Sequence, residues 1–116
     1  MNSTTALLTA LYSRIPRRHS PENVKELYAI LDEYEGILQN IESESEHHEQ
    51  LVPPYFEALE PMRATVKKST DNKASKKMKD NFFDEVSGAL KDSMGNLMEV
   101  YNEWDREALL TLKFIS

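Results

Sequence analysis

At 116 residues, with 40% hydrophobic and 29% charged side chains and three glycines, the chain is long enough to bury roughly two-thirds of its unfolded surface as one domain. It holds no cysteine, which excludes disulfides, thiolate metal sites and cysteine nucleophiles and fits a reducing compartment. No apolar run reaches the roughly 18 residues that suggest a membrane span, and the start lacks the continuous apolar core of a secretory signal.

The net charge of −6 is segregated into blocks: +3 over residues 1–21, −10 over 22–60, +6 over 62–79 and −5 over 80–116. These blocks either attract one another, within or between chains, or form solvated helix faces of different sign.

Residues 4–15 form the first predicted helix, a short amphipathic one with Leu7, Leu8, Leu11, Tyr12 and Ile15 on a shared face. Asn2, Ser3 or Thr4 is the candidate cap, and Pro16 ends the helix by disfavouring helical geometry in Ile15. The segment 1–20 is also arginine-bearing, rich in hydroxyls and free of acids, as a mitochondrial presequence is. The competing expectation is an ordinary first helix packed on the rest.

Arg17 to Ser20 form a connector, and Ser20-Pro21-Glu22 combines a cap, a proline suited to the first helical position and an early acid. The helix that follows is predicted over about 21–51. Val24, Leu31 and Leu38 hold one heptad position, Leu27, Tyr34 and Ile41 the position three residues later, and Ile30 and Ile37 widen the stripe. Past Ile41 the heptad positions turn polar, with Ser45 and His48, so this end is expected to project beyond its partner helix. Leu51 and Val52 precede Pro53-Pro54, which stops the helix.

A third helix is expected over about 54–68, with Tyr55, Phe56, Leu59, Met62 and Val66 on one side. Pro61 lies inside it and predicts a kink or break, because it lacks an N–H and clashes with the carbonyl of Glu57. Residues 69–75 read as a loop. The last helix is predicted over about 76–113. Phe83, Leu90, Leu97 and Trp104 recur every seven residues, Met94, Tyr101 and Ala108 fill the complementary positions, and Val86, Val100 and Leu112 lie beside them. At ~1.5 Å per residue this helix and the 21–51 helix would each be roughly 45–50 Å long, which suits antiparallel neighbours. Gly88 and Gly95 sit seven apart on one face. They are either tolerated surface glycines or a strip where another helix approaches closely.

Chemistry is sparse. Glu42, Glu44, Glu46, His47, His48 and Glu49 form the one cluster of metal-ligand types, and Glu44-x-x-His47 has the spacing of half a di-iron carboxylate site. The second Glu-x-x-His such a site needs is absent, since His19 follows Arg17-Arg18. The cluster is therefore expected to be a solvated acidic helix end. There is no phosphate loop, no Gly-x-Ser-x-Gly and no His-Glu-x-x-His. No catalytic residue, metal ligand or cofactor is expected. Arg63, Lys67, Lys68, Lys73, Lys76, Lys77 and Lys79 make a dense basic segment suited to a polyanion or an acidic partner.

The expected fold is all-α, a single helical domain over 1–116, built as an elongated three- or four-helix bundle with antiparallel coiled-coil-like packing. Its packing or partner face combines Val24, Leu27, Ile30, Leu31, Tyr34, Ile37, Leu38 and Ile41 with Phe83, Leu90, Met94, Leu97, Tyr101 and Trp104. The expected function is a non-catalytic protein–protein interaction module, such as a small adaptor, regulatory or assembly subunit. A homo-oligomer is also expected, because Ile30 and Ile37 make the stripe broader than one helix pair covers. The alternatives are nucleic-acid or anionic-surface binding through Lys67 to Lys79, and a small helical enzyme or metal protein. The expected location is intracellular and cytoplasmic, with mitochondrial import as the other option.

Overall fold

The computed structural model describes residues 3–115, with side-chain surroundings for 3–104 and 106. The expectations for Asn2, Ala108 and Leu112 fall outside them. Five helices follow in order: α1 (Ser3–Ser13), α2 (Pro21–Glu42), α3 (Glu46–Leu51), α4 (Pro53–Lys68) and α5 (Lys76–Ile115). No strand occurs among the described residues, so the chain is all-α.

Local chemistry explains the boundaries. Ser20, in extended geometry, accepts a 3.0 Å bond from the Asn23 backbone N–H and caps α2, and Pro21 takes the first helical position. The predicted 21–51 helix is in fact two. The serines interrupt it: the Ser45 hydroxyl accepts the His48 N–H at 3.0 Å and starts α3 afresh, while Ser43 bonds back to the Asn40 carbonyl at 2.9 Å. Short hydroxyl side chains compete for backbone groups in this way and favour helix ends over interiors. The expected match in length with the last helix disappears, since α2 has 22 residues and α5 has 40.

Of the kink or break expected at Pro61, the break is absent, and α4 continues through it from Pro53 to Lys68. Glu57, whose carbonyl loses a donor, and Pro61 are both exposed, so water can replace the missing bond. The Thr65 hydroxyl bonds the Pro61 carbonyl at 2.9 Å. Residues 69–75 are the predicted loop. Asp71 accepts the Lys73 N–H at 2.9 Å, and Ser75 caps α5 by accepting the Met78 N–H at 3.2 Å.

α1 and α4 each pack against both α2 and α5, so α2 and α5 face each other across the core. Their contacts advance together. His19 meets Asp80 at the start, Tyr34 bonds Ser93 at 2.8 Å midway, and Tyr101 bonds both Glu44 carboxylate oxygens at 2.7 and 2.8 Å at the end. α2 and α5 therefore run in the same direction, which corrects the expectation that they are antiparallel neighbours. Contacts from α4 run in reverse order: Tyr55 bonds Asn96, Arg63 reaches back to Asp32, and Ser69 meets His19. The molecule extends 60 × 23 × 17 Å.

Every stripe residue from Val24 to Ile41, and Phe83, Leu90, Met94, Leu97, Tyr101 and Trp104, is buried in one continuous core. Leu8, Leu11 and Ile15 join it from the first segment, and Leu59, Met62 and Val66 from α4. This explains the breadth of the α2 stripe. Ile30 and Ile37 are covered within the same chain, because α2 has a neighbour on each flank and α5 opposite it. Fully burying one such aliphatic side chain stabilises by about 1.5–3 kcal/mol. Two residues of the predicted α1 face turn outward, Leu7 at 54% exposure and Tyr12 at 38%. A helix face one hundred or so degrees wide cannot hold all five of the expected apolar positions.

Candidate functional site

Since α2 and α5 are parallel, both begin at the same end of the molecule, where α4 also finishes. The Arg17–Ser20 connector lies there too, pinned by His19. One ring nitrogen of His19 is 3.1 Å from the Ser69 carbonyl, the other 3.8 Å from Asp80, and the ring meets Phe83 edge-on at 5.7 Å. A carbonyl only accepts, so Nε2 carries the proton in that bond. Arg17, Arg18, His19 and Lys76 share a groove of ≈ 310 Å³ with Asp80 and Asp84. Lys67 and Lys68 border a second groove with Ala64, Thr70 and Asp71, and the Lys68 ammonium sits 5.9 Å from the Phe82 ring centre. Lys73 and Lys77 are exposed and Lys79 is half-buried. Met78 stands among these lysines at 49% exposure. None of lysines 67 to 79 forms an ion pair among the described residues.

The seventh member of the predicted basic patch behaves differently. Arg63 bonds Asp32 at 2.8 Å and lies 3.5 Å from Glu35, so it serves the middle of α2. Arg14 does the same from the opposite flank, reaching Glu26 at 2.7 Å and Glu33 at 2.8 Å. The hydrogen bonds that Arg14 donates to Glu33 and Glu26 hold its guanidinium even more firmly protonated than usual. The bond from Arg14 in turn lowers the Glu33 carboxyl below its ordinary range. The two arginines partly neutralise the acidic block midway along α2. Most of the remaining positive charge lies at one end.

The opposite end holds the histidine-bearing cluster, where Glu42, Glu44, Glu46 and Glu49 are exposed as a solvated helix end requires and His48 departs from that expectation. His48 is 2% exposed and stacks on Tyr101 with ring centres 5.7 Å apart, while Trp104 lies 6.3 Å away. Its Nδ1 is 3.0 Å from the Ser45 hydroxyl and 3.4 Å from Glu44. Its Nε2 is buried without a hydrogen-bond partner among the described residues. Glu44 sits in the turn between α2 and α3, so Glu44 and His47 do not share a helix and the Glu-x-x-His spacing loses its geometric meaning. Among the described residues, no three His, Asp or Glu side chains come together as metal ligands.

The sequence stripes thus became core, while the basic segment gained three residues that sequence reasoning had assigned to a connector: Arg17, Arg18 and His19. Their only sequence signal was an arginine pair next to a helix start, which by itself points nowhere. Among the described residues, no helix is long and apolar enough to cross a membrane. Comparison with profiles of known protein families, with curated proteins and with solved structures gives no match.

Proposed function

We propose that this chain is a non-catalytic protein–protein interaction module whose basic end docks on an acidic surface of its partner. The convergence of Arg17 and Arg18 with Lys76 on one groove, beside the uncompensated lysines, carries this reading. The scaffold in this reading is an elongated four-helix bundle of antiparallel neighbours with coiled-coil-like seams. It presents the charges on a rigid platform, as an adaptor, regulatory or assembly subunit requires.

Two features support a protein partner over a nucleic acid. Phe83 is buried and Phe82 is half-buried under Lys68, so neither offers a platform for stacking bases. Residues 37–60 and 92–104 add nine acids without a lysine or arginine, which repels a polyanion long enough to track along the molecule.

Fluorescence anisotropy with a labelled poly-glutamate peptide and a labelled single-stranded oligonucleotide of matched length tests the proposal. Poly-glutamate binding is expected to weaken about tenfold or more when Lys73, Lys76 and Lys77 are changed to Gln. Unchanged affinity would remove the basic end as the docking surface. Tighter binding of the oligonucleotide, with steeper salt dependence, would hand the site to the nucleic-acid reading.

A further inference from the structure

Along the chain, charge alternates in four blocks; in space it falls into two. Residues 17–25 and 67–84 meet at one end and hold nine bases against four acids. The other half is built from residues 3–13, 37–60 and 92–104. With the rest of α5 to residue 115 it holds eleven acids against two bases, Arg106 and Lys113. The order of contacts along α2 and α5 separates these groups: His19 meets Asp80 at one end, and Glu44 meets Tyr101 at the other. Glu42, Glu49, Glu99 and Glu103 are all exposed at the acidic end. Between the ends, Arg14 and Arg63 engage four acids of α2 and lower the charge of the waist.

We propose that the acidic surface recognised by the basic end is the acidic end of a second copy of this chain, in a head-to-tail contact. The inference rests on the basic end being a docking surface and names its occupant. The chain carries its own electrostatic complement, while like ends repel each other. That repulsion disfavours a symmetric dimer through either end and selects the unlike pair. Such a contact is heterologous: each pair keeps one basic and one acidic end free, so further copies can add. The core stripes take no part, since they are covered within the chain. The driving force is charge at contact range, which about 0.15 M salt screens beyond about 8 Å.

The test is sedimentation velocity on the full chain across a concentration series at low and high salt. Two variants are made: Lys73→Glu/Lys76→Glu/Lys77→Glu at the basic end and Glu42→Lys/Glu49→Lys/Glu103→Lys at the acidic end. Circular dichroism confirms that both keep the helical signal. The wild type is expected to self-associate at low salt, with an association constant that falls about tenfold or more at high salt. Each variant alone should stay monomeric, because reversing one end leaves two ends of like sign. Self-association of the wild type that persists in either variant would overturn the head-to-tail contact and point to the exposed Leu7 and Tyr12 side of α1. A wild type that is monomeric at all concentrations in low salt would overturn it too. Poly-glutamate binding by that monomer would still support the docking surface, so the two readings fail separately.

Discussion

Replacing Gly88 and Gly95 with alanine tests the packing of α5 from an unusual direction, because the structure predicts a gain in stability. Both glycines lie inside a 40-residue helix, and neither has a positive φ. A Cβ built on either meets nothing within 4 Å. Alanine therefore adds no clash and needs no change of backbone. What remains is helix propensity, which favours alanine by about 0.8–1.0 kcal/mol at each site, largely through the smaller entropy of the unfolded chain. The sites are two turns apart, at roughly 10 Å, so their effects should add to about 2 kcal/mol. For a domain of this size that raises Tm by roughly 5–10 °C. Thermal melts followed by circular dichroism, with urea titration to confirm an unchanged m-value, supply the measurement. A loss of stability in the double variant would refute the reasoning. It would mean that another backbone lies against this strip where the structure leaves it open.

The remaining expectations concern the core, the cross-core polar contact, the helix start and the first segment. Truncating Leu31, Leu38, Leu90 or Leu97, all fully buried, to alanine should cost about 2–5 kcal/mol each in urea unfolding, and costs below about 1 kcal/mol at all four would sink the core assignment. Tyr34→Phe removes the bond to Ser93 and should cost about 1 kcal/mol. Burial pushes the Tyr34 phenol up from 10.0 to about 12, so the unfolded chain releases this proton first. Its contribution to stability is complete below pH 10.0 and is lost as pH rises through about 12. The Tyr34→Phe variant should lose stability less steeply across that window, and identical pH profiles would contradict the burial. Ser20→Ala should cost about 1 kcal/mol through loss of the α2 cap, with no effect on the m-value. Deleting residues 1–18 removes buried Leu8, Leu11 and Ile15 and should lower Tm, whereas an unchanged melt would mean that α1 is dispensable to the core.

Much of the architecture was legible because it depends on local periodicity. The heptad residues of α2, and those of α5 from Phe83 to Trp104, are buried as the repeat predicts, since a sustained 3.5-residue repeat leaves only one face to bury. The loop at 69–75 and the start at Ser20-Pro21 followed from side-chain chemistry acting within a few residues. The failures came where neighbours, and not periodicity, set the outcome. Ser43 and Ser45 can bound a helix, as they do here, but are also tolerated inside one, so the repeat alone did not decide between the two, and the fold swings His48 under Tyr101. Pro61, by contrast, stays inside the expected helix at an exposed position.

The candidate site divides along the same line. The lysines from 67 to 79 are plain in the sequence, as is the alternation of charge blocks. What the order of residues cannot state is whether α2 and α5 run together or opposed. Either direction buries the same stripes, because hydrophobic periodicity along a helix has no sense of direction. Opposed helices would have set the lysine-rich start of α5 beside the acidic residues 42–49. The parallel pair, with α1 and α4 returning between its members, gathers Arg17 and Arg18 with the lysines at one end and the glutamates at the other. Helix type and core membership were thus written in short-range pattern, while the polarity of the molecule arose from chain reversals at the turns.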